Sequence, residues 1–387
     1  MAKRRQSGRQ QPVEIDGTAV GAFIPLPLPP SDPPLDTSGS IDGLHAEAMA
    51  ALARLQLAGR MVPSPDWFLY GFVRKEAVLT SQIEGTQATL QDVLEYEATD
   101  EAEHPEEVEE VCNYVEALTY ARRELSRSKN RAIDTKLLCG AHKRLMKGSR
   151  GANKKPGAIR AAQNWIGGQD PSTARFVPPP PDEVPGAIEA LLAWTASDDP
   201  LPPLIRAGLA HAQFETIHPF LDGNGRIGRL LIMLLLERWG VLDLPILYLS
   251  LALKRRQLRY YDRLMAVRQR GDWEAWIEFY LECVRESADD GTAIAQELFA
   301  LLGQDRQRLT AHERATVAAI RLHDLLPSHP IVTAARVEEM LGITAPTARK
   351  AIEVAEEVGI LRETTGKPRD RVYAYHRYLK VLTGDEG

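Results

Sequence analysis

The sequence has few of the features that mark a secreted or membrane-spanning protein. It contains only three cysteines, Cys112, Cys139 and Cys283, which are far apart and odd in number. They provide neither a disulfide framework nor a Cys-x-x-Cys metal pair, which favours a reducing, cytoplasmic environment. The longest uninterrupted apolar run, Leu230–Leu236, has seven residues, whereas a helix that crosses a bilayer needs about 20. The basic N-terminus has no apolar segment after it and does not resemble a secretory signal.

The chain also lacks an excess of positive charge. It has 47 Lys and Arg residues against 53 Asp and Glu residues, a formal net charge of −6. This balance argues against a protein coated in nucleic acid, although a local basic patch is compatible with it. Aromatic residues make up only 6% of the chain, but its 44% hydrophobic content is that of a globular protein. A length of 387 residues indicates more than one domain.

The pattern along the chain predicts a mainly α protein. Residues 1–40 show no helical stripe and include six prolines between Ile24 and Asp36, so we expect an extended N-terminal tail. Helical periodicity begins at Ile41, and we assign 41–125 to an N-terminal helical region and 126–303 to a helical core. Within this core, residues 150–182 are rich in Gly, Pro and Asn, and β-capable residues at both ends of Trp165–Val177 predict a short β-hairpin flap there.

Residues 304–387 predict a separate winged-helix domain. Two short helices joined by a turn at Gly342 precede a hairpin around Gly366, which is the winged-helix layout. The second of these helices carries more acidic than basic residues, while the hairpin carries a small positive excess. Acidic charge on a recognition helix disfavours contact with phosphates. We therefore favour a protein-docking or dimerisation role, and DNA binding remains the alternative.

The segment His218–Arg229, HPFLDGNGRIGR, combines groups that bind a polyphosphate. Gly223 and Gly225 lack side chains, so backbone N–H groups can turn toward an anion. We expect these groups at the N-terminus of the following helix, where the helix dipole also favours negative charge. Arg226 and Arg229 are three residues apart, so they share a helix face and can both reach a phosphate chain.

Two side chains in the same segment add chemistry. Asp222 is a hard oxygen ligand beside the glycines, and with phosphate oxygens and water it would complete a Mg²⁺ shell. His218 can accept a proton near neutral pH. Each of these residues alone is commonly structural, but their combination within twelve residues predicts a nucleotide site with a base beside it.

The same segment matches the Fic motif, HxFx(D/E)GNGRxxR, at every specified position, and the chain resembles the Fic family over most of residues 41–300. The resemblance implies a Fic-type helical bundle with a β-hairpin flap. It also implies transfer of AMP from ATP to a Ser, Thr or Tyr hydroxyl of a target protein or of the chain itself, with release of pyrophosphate. Mg²⁺ would be the cofactor, and the target would dock on the flap by strand addition.

The resemblance assigns a role to each position of the motif. His218 would be the general base that deprotonates the target hydroxyl, and Phe220 would anchor the loop in the core. Asp222 would hold Mg²⁺ against the α- and β-phosphates. The other nucleotide-binding positions would be an anion hole at Gly223, Asn224 and Gly225, the triphosphate ligands Arg226 and Arg229, the adenine-side pair Tyr260 and Tyr261, and Gln213 at the pocket edge.

A second segment, Thr80–Gly85 (TSQIEG), resembles the family's inhibitory motif, (S/T)xxxE(G/N). From the residues alone, Glu84 is a carboxylate at the end of a predicted helix that Gly85 can terminate. The resemblance implies that Glu84 pairs with Arg229 and occupies the guanidinium meant for the γ-phosphate. The enzyme would then be inhibited by its own N-terminal region. Homo-oligomer formation would be a further layer of control, for which the sequence indicates no interface.

Two other functions remain open at this point. The same fold could transfer UMP, phosphocholine or phosphate, or could remove AMP with the inhibitory glutamate activating water. Alternatively, the chain could be an ATP-sensing regulator that acts on DNA through its winged helix. The intact motif favours use of a nucleoside triphosphate, and the complete set of His218, Asp222 and Arg229 argues against a sensor, which needs no base.

Overall fold

Helices form most of the chain, which a computed structural model describes over residues 5–61, 65–127, 132–148 and 152–384. The first four are α1 Ser40–Met61, α2 Pro65–Ile83, α3 Leu90–Thr99 and α4 Pro105–Ser126. The next are α5 Thr135–Leu145, α6 Val184–Ala196, α7 Pro203–Ile217, α8 Asn224–Arg238, α9 Ser250–Arg255, α10 Gln257–Arg270 and α11 Trp273–Ala311. The predicted boundary between residues 303 and 304 falls inside α11. This helix therefore continues from the predicted helical core into the predicted winged-helix domain.

The core of the main body surrounds α8. Every side chain from Leu230 to Leu236 is at most 2% exposed, because this helix is apolar on all sides and must be enclosed by others. Helices α2, α4, α5 and α7 pack against it, while α1 lies along α11. In the described ranges, every helix is too short or too polar to span a lipid bilayer.

The N-terminal segment is not the extended tail that its prolines suggested. Strands β1, Gly8–Ile15, and β2, Thr18–Pro25, form a regular antiparallel hairpin. Asp16 and Gly17 connect them with φ angles of 48° and 79°, the left-handed pair that Asp-Gly favours in a two-residue hairpin turn. The prolines dominate only after β2, where the chain runs without regular helix or strand to α1. Residues 1–4 lie outside the described ranges.

The flap contains less β-structure than a full hairpin. A single antiparallel bridge joins Ile166 and Phe176 through backbone hydrogen bonds of 2.8 and 3.1 Å. Strand β2 of the N-terminal hairpin pairs with the residue after this bridge, because the Phe23 N–H donates to the Val177 carbonyl at 2.9 Å. The flap is therefore supported by the N-terminal hairpin.

The last part of the chain, here called the C-terminal domain, combines small helices with a three-stranded sheet. Its elements are α12 Val317–Leu325, β3 Ile331–Thr333, α13 Ala334–Leu341, α14 Ala345–Glu357, β4 Arg362–Glu363, β5 Val372–Ala374 and α15 His376–Thr383. Strand β5 lies in the middle, antiparallel to β3 and β4. This order of elements agrees with the winged-helix layout that the sequence predicts.

The C-terminal domain packs directly on α2. The Lys75 Nζ donates to the Leu382 carbonyl at 2.9 Å, and this contact is buried. Gly71 leaves room for the Leu382 side chain, since a Cβ there would lie 3.1 Å from one of its methyl carbons. On the other side, Lys367 of the predicted wing lies 3.4 Å from Glu101, after α3. Both ends of the domain therefore touch the N-terminal helical region.

Candidate active site

The predicted nucleotide segment forms a tight loop between α7 and α8. His218 ends α7 in the left-handed conformation, with φ 50° and ψ 62°. The buried ring of Phe220 then stacks on His142, with centroids 3.8 Å apart. The Asn224 side chain closes the loop, because its Oδ1 accepts from the Phe220 N–H and its Nδ2 donates to the Phe220 carbonyl, each at 2.8 Å. Asn224 therefore shapes the loop with its side chain and offers only its backbone N–H to an anion.

The N-terminus of α8 presents the expected row of backbone donors. The first helical hydrogen bond runs from the Ile227 N–H to the Gly223 carbonyl at 3.0 Å, so the three preceding N–H groups lie ahead of the helical ladder. Gly223 adopts φ 73°, and a Cβ there would lie 2.9 Å from the Met146 sulfur. A residue with a side chain would thus be strained and crowded at this position.

His218 is held as a neutral base. Burial, and then the positive charges of Arg268 and Arg160, lower its pKa to about 3. Its Nδ1 is buried and has no hydrogen-bond partner among the described residues. At neutral pH the imidazole is therefore unprotonated and has a free acceptor nitrogen, but the low pKa makes it a weak base unless negative charge enters the site.

Asp222, the predicted Mg²⁺ ligand, is accessible from the cavity. Its side chain is exposed and lines the cavity beside the start of α8, while one carboxylate oxygen accepts from the Gly223 N–H at 2.6 Å. The described residues contain no group of three His, Cys, Asp or Glu side chains arranged to bind a metal. A Mg²⁺ ion bound here would take its remaining oxygens from nucleotide phosphates and water, as Mg²⁺ commonly does.

Two nitrogens of the Arg229 guanidinium, Nε and Nη2, bind the segment at the end of α2. Its Nη2 donates to Glu84 Oε1 at 2.6 Å and to the Thr80 carbonyl at 3.0 Å, and its Nε donates to the Thr80 hydroxyl at 2.6 Å. Only 2% of the Arg229 side chain is exposed, against 34% of Glu84. Although burial opposes it, the Glu84 carboxylate raises the pKa of Arg229. Gly85, with φ 100°, turns the chain away directly after this pair.

Arg226, the other arginine of the loop, is also paired with a carboxylate. It forms a salt bridge with Glu110 of α4, and both side chains are largely buried. The cavity beside them has a volume of about 310 Å³, and its lining includes Asp222 and four glutamates, Glu84, Glu106, Glu109 and Glu110. At the predicted triphosphate site, both arginines are thus paired with glutamates and the cavity has a negative rim.

Comparison with known proteins places this geometry in a family. The Fic/DOC family N-terminal model matches residues 43–123, and the Fic/DOC family model matches residues 132–236, which include the whole loop. The chain belongs to the Fic/DOC family. The Fic loop is thus the segment His218–Arg229, and the predicted inhibitory segment Thr80–Gly85 falls within the N-terminal match.

The curated relatives are similar over only part of their length. A probable protein adenylyltransferase of Aquifex aeolicus is 29% identical over 176 residues, which cover 46% of this chain and 51% of that protein. The protein adenylyltransferase Fic of Drosophila grimshawi is 30% identical over 135 residues, which cover 34% of this chain and 25% of that protein. This chain therefore spans about half of the first relative and a quarter of the second.

Solved structures show the same fold over a longer stretch. A Fic family protein from Desulfovibrio desulfuricans has a TM-score of 0.57 and 24% identity, and the match covers 88% of this chain and 97% of the other. A Fic domain containing signaling protein from Bacteroides thetaiotaomicron has a TM-score of 0.51 and 18% identity, covering 67% and 97%. At these identities the likeness shows the fold alone: a mainly helical Fic fold.

Three predicted nucleotide-binding residues lie outside the Fic loop, and both tyrosines are within electrostatic range of Glu84 and Arg229. The Gln213 Nε2 donates to the Leu26 carbonyl at 2.8 Å, because its position on α7 faces the N-terminal segment rather than the cavity. Tyr260 is buried, and its hydroxyl is 2.8 Å from His211 Nε2. Tyr261 is half-buried with its ring 5.1 Å from that of Tyr260. Of the tyrosine pair, only Tyr261 is open to solvent.

Other residues of the Fic site were not predicted from the sequence. Glu110 belongs to a run of nine carboxylates over residues 95–110, which indicates a solvated acidic face, yet it is paired inside the site. Arg160 is buried and contacts the backbone of the Fic loop. Glu215, on the last turn of α7, has a buried Oε1 with no hydrogen-bond partner among the described residues, and burial raises its pKa to about 7.

Proposed function

We propose that this protein transfers AMP from ATP to a hydroxyl group of a protein side chain. The observation that carries the proposal is the neutral His218 at the entrance to a row of backbone donors, with two arginines on the same helix. The names of the curated relatives, protein adenylyltransferases, support the same reaction. Because those relatives match over half of their length or less, activity and substrates are proposals for this chain.

The residues supply positioning and charge stabilisation rather than covalent chemistry. The target oxygen attacks the α-phosphorus, and His218 accepts the proton that this oxygen loses. The bond between the α-phosphorus and the bridging oxygen breaks, and both of its electrons leave with pyrophosphate. The N–H groups at the start of α8 and the two arginines stabilise the charge on the leaving group. Mg²⁺ held by Asp222 would supply further charge neutralisation when bound.

We further propose that the resting enzyme is inhibited by Glu84. While Nε and Nη2 of Arg229 donate to Thr80 and Glu84, these two nitrogens cannot bind a γ-phosphate. The carboxylate also places like charge where the γ-phosphate would lie, which makes that pose less favourable. Target segments would approach His218 along the flap, which already carries one backbone pairing with β2.

We infer that the C-terminal domain makes protein contacts rather than binding DNA. Lys367, one of the basic residues of the predicted wing, faces Glu101. The other end of the domain is buried against α2. A gel shift that weakens steeply with salt would instead establish DNA binding.

The transfer reaction is tested with α-labelled ATP, Mg²⁺ and purified wild-type, Glu84→Gly and His218→Ala proteins. We expect strong self-labelling of Glu84→Gly, weak labelling of the wild type and none of His218→Ala. Labelling of His218→Ala at the rate of its parent would overturn the role of the base. If no variant is labelled, α-labelled UTP and CDP-choline, and then removal of AMP from a modified protein, test the other reactions of this fold.

A further inference from the structure

Arg160 is a buried cation without an acidic partner. It is 2% exposed, and no carboxylate of the described residues lies within salt-bridge distance of it. Burial lowers its pKa to about 10, so the side chain still carries its charge at neutral pH. A buried charge is costly unless hydrogen bonds satisfy it. In Arg160 these hydrogen bonds go to backbone carbonyls.

One set of contacts fixes the end of α7. The Arg160 Nε donates to the His218 carbonyl at 2.8 Å, and Nη2 approaches the Ile217 carbonyl at 3.4 Å. The backbone N–H of Arg160 donates to the Pro219 carbonyl at 2.9 Å. Three successive carbonyls around the base are thus bonded to one residue. A cation at this place also interacts favourably with the negative end of the α7 dipole.

A second set of contacts holds both sides of the flap. Nη1 donates to the Ala162 carbonyl at 3.3 Å, before the flap, and Nη2 donates to the Pro179 carbonyl at 2.6 Å, after it. The two chain segments that enter and leave the flap therefore meet at the same guanidinium that bonds the carbonyl of His218.

The orientation of His218 depends on its backbone. Its left-handed conformation is unfavourable for a residue with a side chain and needs support from its surroundings. The imidazole lies beside the Glu215 carbonyl, but its Nδ1 forms no hydrogen bond of good geometry among the described residues, so this contact fixes the ring only weakly. The direction of the Cα–Cβ bond, and with it the ring, follows from the backbone that Arg160 bonds.

We propose that Arg160 is the positioning residue of the base and couples the flap to His218. This inference rests on the proposed transfer reaction for its kinetic test. It predicts that loss of the guanidinium misplaces the imidazole while the N-terminus of α8, which Arg160 does not contact, still binds nucleotide.

The test compares Arg160→Lys with Arg206→Lys, each in a chain that also carries Glu84→Gly. Arg206 is a matched control: it is 6% exposed and donates to the carbonyls of Trp194, Thr195 and Ser197. It belongs to the first turn of α7, whose opposite end carries His218. Lysine keeps the charge at both positions but lacks the planar fork that bonds several carbonyls at once.

We expect Arg160→Lys to lower kcat by about 10- to 100-fold, the scale of a small misplacement of a catalytic group, and to leave the Kd for ATP within twofold. Arg206→Lys should lower the melting temperature to a similar extent but leave kcat within twofold. Equal losses of kcat in the two variants, or a normal kcat in Arg160→Lys, would overturn the inference.

A measurement on His218 itself separates this inference from the proposed function. Carbethoxylation of His218 by diethyl pyrocarbonate, followed by mass spectrometry, needs no transfer activity. We expect faster modification in Arg160→Lys than in the wild type and no change in Arg206→Lys. If the Glu84→Gly parent transfers no AMP, the proposed function fails, and unchanged modification of His218 in Arg160→Lys would then refute the positioning role as well.

Discussion

Removal of the Glu84 carboxylate is the perturbation whose effect the structure defines best. Glu84→Gly deletes one hydrogen-bond acceptor of Arg229 and leaves the contacts with Thr80 in place. It also removes a negative charge from the rim of the cavity. One hydrogen of Nη2 is then free for a γ-phosphate bound at the start of α8, where the Glu84 carboxylate and the guanidinium both lie close to Gly225.

The size of the effect follows from the exposure of the two partners. A charge-assisted hydrogen bond contributes about 1.5–3 kcal/mol. Arg229 is 2% exposed, which favours the upper end, but Glu84 is 34% exposed and partly solvated, which favours the lower end. A competing interaction of about 1.5–2 kcal/mol corresponds to a factor of about 10–30 in affinity for the productive pose of ATP.

The assay has two readouts and a matched control. Calorimetry gives the Kd for ATP, and label from α-labelled ATP gives the rate of self-modification. Glu106→Gly is the control, because Glu106 is exposed and lines the same cavity but forms no ion pair with Arg229. We expect tighter ATP binding and faster labelling in Glu84→Gly and a change of less than about threefold in Glu106→Gly, the usual scale for an exposed charge.

Two results would refute this reasoning. Equal effects of the two substitutions would mean that the general negative charge of the rim, and not the pair with Arg229, controls nucleotide binding. An unchanged Kd and labelling rate in Glu84→Gly would mean that the contacts of Arg229 with Thr80 alone hold the guanidinium away from ATP.

Three further predictions concern single side chains. His218→Ala should abolish transfer but keep the Kd for ATP within about twofold, since general-base catalysis acts on the reaction step; a large loss of ATP affinity would contradict this role. Glu110→Gln, in a Glu84→Gly chain, should free Arg226 and tighten ATP binding about three- to tenfold in calorimetry, whereas weaker binding would mean that the pair orients Arg226 productively. Glu215→Gln should stabilise the protein increasingly as the pH rises, because the raised pKa of about 7 makes ionisation of the buried carboxyl unfavourable. The protonated Glu215 carboxyl stabilises the folded state fully below its unfolded pKa near 4.5, and this stabilisation is lost as the pH rises through about 7. The gain of Glu215→Gln over wild type in urea titrations should therefore grow by about 2 kcal/mol between pH 5 and pH 8, against no trend in the exposed control Glu189→Gln; a constant difference would show that Glu215 is ionised throughout.

The sequence revealed the part of the site that is contiguous. Gly223, Gly225 and the two arginines lie within one turn-and-helix unit, so their spacing alone predicts an anion site. Glu84 is different, because its partner Arg229 is 145 residues away and only the resemblance to the inhibitory motif linked them. Sequence spacing carries no information on a contact of this kind.

The residues that were missed have partners that leave no pattern. Arg160 bonds backbone carbonyls, which every residue possesses, so no partner type marks it in the sequence. Glu110 stands in an acidic run in which half of the other carboxylates are exposed. Nothing in the sequence distinguishes it, and the approach of α4 to α8 places it beside Arg226. The N-terminal hairpin was missed because the prolines after it outweighed the Asp16-Gly17 turn, a signal that was present.

The contact between α15 and α2 has a consequence for experiments on shortened chains. Lys75 and Gly71 of α2 contact α15. The same helix carries Thr80 in its last turns and ends just before Glu84, and Lys75 is only about 7.5 Å from Thr80 along the helix axis. A chain truncated at residue 236, where the family match ends, would expose this stretch of α2 to water and would lose the contacts with α15 that stabilise it. In such a fragment the contacts of Thr80 and Glu84 with Arg229 would be weaker, so its transfer rate would exceed that of the full chain. The basal rate therefore has to be measured on a chain that includes α15.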